Sequence, residues 1–465
     1  MPTSLMKGAQ PSIVAAIGRT PIVRLNKVAA HVKSSIYVKL EYLNPGGSMK
    51  DRVALNIIRD AERRGQLVPG GTIVEATSGN TGAGLALIAA VRGYKCIFVM
   101  PDKMSHEKIA TLRAFGAKVV ICPTAVEPDD PRSYYEVTKR IVAETPGAFH
   151  ANQYHNPSNP EAHYMSTAPE IWEQTGGELD VFVAGMGTGG TISGCARYFK
   201  ERKPGFQIVG VDPIGSLYYD YVKTGRMTKA FSYAVEGIGE DFLPSTMNLK
   251  AVDEIIRVDD KECFLMTRAL VREEGIFCGG SCGAAVSGAI KYAEQLGDVK
   301  KNILVLLPDS AQKYLSKIFD DKWMQENGFL EEQDPLGSVA DILRSRPRRP
   351  VVSVSRGDSV KRTIQVLQEH GISQVPVLDS GHLLGLVSEI DLLNHLVGNP
   401  GVLTRPVEEL VEADYATVTP QTKVKLLKNI FNEAKAVCVL DRDDLLAVIT
   451  KIDLIEYLAS RSTTP

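Results

Sequence analysis

From residue 12 to about residue 320, short and fully apolar runs alternate with longer segments in which apolar residues return every three or four positions. The runs IYVKLE (36–41), TIVEA (72–76), KCIFVMP (95–101), KVVICP (118–123), VFVAG (181–185), QIVGVDP (207–213) and ILVLLP (303–308) predict strands. Between them KDRVALNIIRDAERRGQL, TGAGLALIAAVRG and HEKIATLRAFGA predict amphipathic helices. Strands that are apolar throughout are buried on both faces, and their alternation with helices predicts parallel sheets covered on both sides. Ligands in such folds lie beyond the carboxyl ends of strands, so the strand-to-helix loops are where chemistry is sought.

The pattern changes after WMQENGFL (323–330). EEQDPLGS (331–338) is acidic and broken by Pro335 and Gly337, as a linker would be. Beyond it, VVSVSRGDSVKRTIQVLQEHGISQVPVLDSGHLLGLVSEIDLLNHL (351–396) is echoed by YATVTPQTKVKLLKNIFNEAKAVCVLDRDDLLAVITKIDLIEYL (415–458). Each copy reads strand, helix, strand, strand, helix, and a unit of roughly 60 residues buries too little apolar surface alone, so the copies are expected to pack together. The expected organisation is an α/β domain over 8–325, a linker over 326–337, and repeat domains over 338–398 and 403–462.

Length and charge narrow the classes. The chain has 465 residues, 53 Lys and Arg against 55 Asp and Glu. The near balance excludes the basic surface of a nucleic-acid binder. No charged segment followed by an apolar core opens the chain, and no apolar run approaches the ~18 residues of a membrane helix. A cytoplasmic protein with no membrane partner is expected. Seven scattered cysteines, at 96, 122, 195, 263, 278, 282 and 438, include no CxxC pair. They predict buried reduced thiols, with neither a disulfide framework nor a metal site.

Four loops carry candidate chemistry. In EYLNPGGSMKDR (41–52), Asn44-Pro45-Gly46-Gly47 marks a turn, and Ser48 is a candidate cap for a helix running from Met49. Lys50 then falls in the first turn, where the helix dipole disfavours a cation and so favours the neutral amine. A solvated lysine and a nucleophilic one both fit that position. In GTIVEATSGNTGAGLAL (71–87), hydroxyls, an amide and free N–H groups gather at a helix start, a cradle for a carboxylate or phosphate. VFVAGMGTGGTISGCARYF (181–199) contains Gly185-x-Gly187-x-x-Gly190. Thr188 and Thr191 favour a cup for one terminal phosphate, while Asp212 at the end of the next strand keeps a dinucleotide site open. GIFCGGSCGAAVSGAI (275–290) sets Gly279-Gly280-Ser281 before a helix of small residues, which suits close packing as well as a site.

Together NPGGSMKDR, TSGNTG, GTGGT and GGS resemble the pyridoxal-phosphate enzymes of fold type II, the tryptophan synthase β family, and within it the cystathionine β-synthase and cysteine synthase family. TPIVRLN (20–26), NQYHNPSNPEAHY (152–164), VEGIGEDFLP (235–244) and LLPDSAQKYLSK (306–317) extend the resemblance over essentially all of 12–325. The repeat at 338–462 resembles a tandem pair of CBS (Bateman) modules. The resemblance implies two parallel-sheet subdomains followed by that module. It implies pyridoxal 5′-phosphate as cofactor, bound by Lys50 as the lysine on its aldehyde carbon, Asn80 on the phenolic oxygen, Gly187, Thr188, Gly189, Gly190 and Thr191 around the phosphate, and Ser281 at the pyridine nitrogen. Thr77, Ser78, Asn80, Thr81 and Gln153 are implied to grip the substrate carboxylate, with Tyr154, Glu236, Gly237 and Gly239 on the substrate side.

The activity implied is β-replacement on L-serine, or an O-activated serine, by a thiol. Homocysteine is the expected acceptor, giving cystathionine in transsulfuration. Cysteine or sulfide, with hydrogen sulfide or cysteine as product, stays open. In the repeat, Ser388, Asp391, Thr450 and Asp453 are implied contacts for an adenosine ligand, S-adenosylmethionine in this setting. Ser/Thr-x-x-Asp at a helix start is also a capping arrangement. The family implies a homodimer or homotetramer. The chain departs from the animal members: Met1–Ser12 holds neither Cys nor His, so no haem is expected, and Glu240 stands where their motif has tyrosine.

Overall fold

The structure is a computed structural model that describes residues 5–77, 79–102, 104–124, 126, 130–331, 336–346, 350–411, 415–442 and 444–461. The chain divides after Glu331 into two compact units.

The first unit holds β1 (Ile22–Arg24), β2 (Ser35–Leu40), β3 (Thr72–Ala76), β4 (Lys95–Pro101), β5 (Lys118–Cys122), β6 (Ala148–His150), β7 (Val181–Gly185), β8 (Gln207–Pro213), β9 (Glu254–Val258) and β10 (Asn302–Leu307). They form a six-stranded sheet ordered β1-β2-β10-β7-β8-β9 and a four-stranded sheet ordered β5-β4-β3-β6. All pairs are parallel except the β1–β2 edge. In the larger sheet Val181, Val183, Ile303, Val305 and Leu307 enter one core, while Phe182, Ala184, Leu304 and Leu306 enter another. That division is what a two-residue repeat produces when both faces are covered.

The seven apolar runs are all strands, and β1, β6 and β9 are additions. β1 and β6 have three residues each, too few to carry a periodic signal. Two of the three predicted helices stop short of their patterns, and the middle one is shifted back by one residue. Lys50–Arg63 stops before Gly65, and Asn80–Arg92 ends on Gly93 in the left-handed conformation at φ 77°. Ser48 does not occupy the cap. Met49 holds that place with helical angles, and Ser48 Oγ accepts a long 3.3 Å bond from the Lys50 N–H.

In the second unit β11 (Val354–Ser355), β12 (Gln374–Asp379), β13 (His382–Ser388), β14 (Ala416–Val418), β15 (Ala436–Asp441) and β16 (Asp444–Thr450) form one sheet ordered β11-β12-β13-β16-β15-β14. The copies meet at its centre through His382 and Asp444. Each hairpin carries the same register shift, after Val377 and after Val439, and turns on a left-handed residue, Ser380 or Arg442.

The segments leading into the copies are exchanged. Helix Val339–Ser345 precedes the first copy but packs Val339 and Ile342 into the core of the second, with Val424, Leu427 and Phe431. Val402, Val407 and Leu410 precede the second copy and complete the core of the first. Backbone bonds repeat the crossing: Val339 N–H donates to Thr422 O, and Val407 N–H to Asp358 O.

Candidate active site

The Asn44–Gly47 turn closes with the Gly47 N–H on Asn44 O at 2.8 Å, and Gly47 takes φ +73°. A side chain at Gly46 would strike the Asp51 carboxylate, which accepts the Gly46 N–H at 2.5 Å. The Met49 N–H donates to Pro308 O at 2.9 Å, tying the turn to the end of β10. On the far side of the helix, Arg52 reaches Glu41 at 2.8 Å and Glu170 at 2.9 Å, and Lys39 meets Glu170 at 2.5 Å. This buried ion network fixes the helix that presents Lys50. Burial lowers the Lys50 amine to about 8, against the opposing pull of Glu240 and Asp309. At pH 7 roughly one free Lys50 in ten is then neutral, against a negligible fraction at the ordinary value.

After β3, Thr77 Oγ1 accepts from the Gly79 and Gly82 N–H groups at 3.0 and 3.2 Å, folding the loop onto the helix start. Thr81 Oγ1 donates to Gln153 Oε1 at 2.5 Å, and Gln153 Nε2 donates to Ala76 O at 3.2 Å. Glu75 supports this pair from below by accepting the N–H groups of Asn152 and Gln153 at 2.6 and 3.1 Å. Burial raises its carboxyl to about 8. Ser78 lies outside the described residues. Asn80 begins the helix, with Nδ2 donating to Asp309 Oδ2 at 2.8 Å and Oδ1 accepting from Lys313 Nζ at 2.7 Å.

After β7 the chain turns through Gly187–Gly189 into helix Gly190–Arg202. Gly189 has φ +84°, and a Cβ there would sit 2.5 Å from Met247 Cα, so the position demands glycine. Any side chain at Gly190 would collide with Asn159, whose Nδ2 donates to Gln153 O at 2.9 Å and Thr188 Oγ1 at 3.1 Å. Tyr218 OH donates to Gly187 O at 2.7 Å, and Thr246 Oγ1 to Thr188 O at 2.5 Å. Thr191 Oγ1 lies 3.1 Å from Nε2 of buried His163, on a single π-helical turn over His163–Thr167. Burial, with Lys50 and Arg52 nearby, pushes that imidazole well below its ordinary pKa, so it is neutral. The first-turn N–H groups of the Gly190 helix have no partner within the helix and suit an anion. Asp212, the residue that kept a dinucleotide site open, is buried and accepts the Tyr219 N–H at 2.9 Å, and it does not line the cavity.

Ser281 is buried in the first turn of helix Gly280–Gln295. A cavity of about 920 Å³ gathers Lys50, Asn80, Thr81, Gln153, Tyr154, Thr188, Glu236, Gly237, Gly239 and Ser281 on its walls. A small recess of about 20 Å³ adjoins it and is lined by Gly187, Thr188, Gly189 and Thr191, with Lys50 and Thr188 common to both. Thr77 and Gly190 stand behind these walls as support. Although burial pushes the Glu236 carboxyl up, Lys108 at 2.5 Å and Lys317 at 2.7 Å outweigh it and hold it low. The Tyr154 ring packs edge-on against Phe242 at 5.2 Å, and burial with Glu240 nearby raises its phenol well above the ordinary value. Gly239 donates its N–H to Met186 O at 2.6 Å from a left-handed backbone.

These residues fit pyridoxal phosphate. The recess has unpartnered helix N–H groups and glycines that no side chain could replace. Lys50, an amine that can be neutral, stands where recess and cavity meet, with an amide and a hydroxyl on the cavity walls beyond. Sequence reasoning missed Glu75, Asn159, His163, Asp309 and Lys313. Asn159 and His163 lie within NQYHNPSNPEAHY, whose density of amides was a usable signal; Glu75 sits mid-strand and gave none. Among the described residues no group of three or more His, Cys, Asp or Glu could hold a metal, and no helix is long and apolar enough to cross a membrane.

In the second unit, Asp391 Oδ2 accepts from Ser388 N–H at 2.8 Å and Oγ at 2.5 Å. Asp453 Oδ2 accepts from Thr450 N–H and Oγ1 at 2.7 Å, while its Oδ1 meets Arg346 at 2.7 Å. The two motifs are both engaged as caps.

Residues 13–309 match the family described as pyridoxal-phosphate dependent enzyme, and residues 339–398 and 407–460 match the CBS domain. Cystathionine beta-synthase of Dictyostelium discoideum is 40% identical, over 96% of this chain and 92% of the relative. The Saccharomyces cerevisiae protein of that name is 36% identical, over 96% and 98%. Among solved structures, a hydrogen sulfide-producing enzyme from Fusobacterium nucleatum has a TM-score of 0.62 at 37% identity, covering 66% of this chain and all of its own. The O-acetylserine dependent cystathionine beta-synthase from Helicobacter pylori has a TM-score of 0.61 at 38% identity, covering 66% and 98%. The chain belongs to the cystathionine β-synthase family of pyridoxal-phosphate dependent enzymes.

Proposed function

We propose that this enzyme replaces the β-hydroxyl of L-serine by the thiol of homocysteine, releasing water and forming cystathionine. The observation that carries the reading is the placement of Lys50, a buried amine of lowered basicity, between a recess lined by Gly187, Thr188, Gly189 and Thr191 and the hydroxyl-rich wall of the larger cavity. When bound, pyridoxal phosphate supplies the electron sink for the pair left on Cα as its proton departs. The N–H groups and hydroxyls of Gly187–Thr191 hold the phosphate. Lys50 would hold the aldehyde carbon of the bound group and, once free as a neutral amine, would take the proton from Cα of the amino acid. Ser78, Asn80, Thr81 and Gln153 hold the substrate carboxylate, with Thr77 bracing the loop from behind the wall. Ser281 offers the ring nitrogen a neutral hydroxyl, which leaves that nitrogen uncharged and favours elimination over transamination. Tyr154 and Glu236 to Gly239 line the approach of the thiol.

A second reading keeps the first half-reaction and changes its partners. The Helicobacter pylori neighbour is an O-acetylserine dependent enzyme and the Fusobacterium nucleatum neighbour a hydrogen sulfide-producing one, so O-acetylserine as donor, and cysteine or sulfide as acceptor, are the alternatives. Purified enzyme incubated with serine or O-acetylserine and each thiol, with products identified by mass, is expected to give cystathionine from serine and homocysteine. Cysteine alone from sulfide would favour the alternative. Lys50→Ala is expected to stay folded and lose both activity and the visible absorbance of lysine-bound cofactor. An active variant that keeps the band would overturn the assignment.

The reading extends to a cytoplasmic homodimer or homotetramer whose C-terminal module takes an adenosine ligand, S-adenosylmethionine being the expected one. Its support is the match of both copies to the CBS domain. Ser388–Asp391 and Thr450–Asp453 would then serve as caps that shape the helix starts facing the ligand. Calorimetry of the full chain with S-adenosylmethionine is expected to give heat and a thermal shift; neither would leave the module structural.

A further inference from the structure

Lys313 is a buried lysine that the reaction outlined above leaves without a role. It lies on the short turn after β10, in Ala311–Tyr314, and does not line the cavity. Its Nζ donates to Asn80 Oδ1 at 2.7 Å and to the carbonyl oxygens of Gly47 at 3.2 Å and Gly46 at 3.4 Å. It therefore joins the amide at the start of the Asn80 helix to the turn that delivers Lys50. On the other side of the same amide stands Asp309, fully buried, whose Oδ2 accepts from Asn80 Nδ2 at 2.8 Å and from Tyr314 OH at 2.6 Å.

The chemistry of these two neighbours leaves the amide one orientation. An ammonium has donors and no acceptor, and a carboxylate has acceptors and no donor. Turning the Asn80 amide over would set its NH2 against the Lys313 ammonium and its oxygen against the Asp309 carboxylate, breaking two charge-assisted bonds and making two repulsive contacts. With the amide held this way, one Nδ2 hydrogen goes to Asp309 and the other is left for an acceptor in the cavity, which Asn80 lines. A neutral or absent side chain at 313 would remove half of that constraint.

We propose that Lys313 is a positioning residue that, opposite Asp309, fixes the amide of Asn80 with its N–H toward the bound cofactor. The inference rests on the proposed contact between Asn80 and the cofactor's phenolic oxygen. A double-mutant cycle on the full chain, loaded with pyridoxal phosphate, tests it. The readouts are the position of the visible band and the cofactor dissociation constant, and circular dichroism checks folding. Lys313→Met is expected to move the band and weaken cofactor retention roughly tenfold, the scale of one hydrogen bond to a charged group. Lys313→Gln, which keeps a donor without the charge, is expected to fall between. In an Asn80→Ala background Lys313→Met is expected to change retention less than about twofold and leave the band in place, because the partner it acts through is gone. Should Lys313→Met fail to fold, Lys313→Gln carries the same cycle. Equal losses in both backgrounds, or an unmoved band in the single variant, would overturn the proposal and leave Lys313 as a prop for the Gly46–Gly47 turn. Failure of the cofactor reading is separately visible, as an Asn80→Ala single variant with unchanged band and retention.

Discussion

In the proposed reaction Lys50 answers two demands that conflict. Holding an aldehyde carbon and taking a proton require a neutral amine, whereas lysine in water is almost wholly charged. Burial resolves the conflict by setting its pKa near 8, and it does so at an expense in stability. A lysine depressed in the folded state binds fewer protons there than in the unfolded chain between its two pKa values. The penalty is full below about pH 8 and is relieved as pH rises toward 10.5. For the cofactor-free enzyme it is on the order of 3 kcal/mol. Cofactor-free Lys50→Ala is therefore expected to gain stability over the parent at pH 7 and to lose most of that advantage by pH 10. Denaturant unfolding at the two pH values measures it, and parallel curves would refute the account. The neighbouring residues show a different compromise: Asp309, Lys313 and Asn80 are charged or polar groups brought together so that each satisfies another.

Among the elements, the strand-to-helix loops line the cavity, and the glycines in them are positional requirements. Gly190 abuts Asn159, which itself spans Gln153 and Thr188, so the proposed carboxylate grip and the proposed phosphate cup are one hydrogen-bonded assembly. Gly190→Ala is expected to displace Asn159 and weaken cofactor binding at least tenfold while disturbing the grip as well. Fluorescence titration with pyridoxal phosphate, together with the KM for the amino acid, would show both effects. A change in one alone would separate the two loops. Legibility in the sequence follows the same line. Runs such as VFVAG and ILVLLP announced their strands because a doubly covered sheet needs uninterrupted apolar residues. The loops announced themselves because cradling an anion needs glycine and hydroxyls in a fixed order. Ser48 misled by a residue, since the carbonyl of Pro308, just after β10, fixes the chain there and a cap was not needed. Asp212 kept a dinucleotide site open because spacing cannot say which way a side chain turns. Glu75 was invisible: a carboxylate within TIVEA carries no sign of its role until the Asn152–Gln153 backbone is seen to fold onto it.

For the whole chain, the two units differ in self-sufficiency. The matched bacterial neighbours span about two thirds of this chain and almost all of their own length, so the α/β fold exists without a partner module. A chain ending at residue 331 is expected to fold, bind cofactor and show activity. One ending at residue 411 is expected to be less soluble and to bind a hydrophobic dye, because β13 loses its neighbour β16 and Val339 and Ile342 lose their core. Thermal unfolding and dye fluorescence of the two truncations decide the matter, and equal behaviour would mean that the first copy stands alone. The near-neutral charge of the full chain makes the dye comparison clean, since neither truncation becomes strongly basic or acidic.

The exchanged leader segments also set a schedule for synthesis. The first copy acquires its last core residue, Leu410, when that residue leaves the ribosome. Val339 and Ile342, made earlier, must wait for the core residues Val418 through Tyr457 to cover them. For most of the module's translation its oldest helix is its least protected one. Pauses in the interval between residues 345 and 418 are therefore where a growing chain is most exposed to proteases and chaperones.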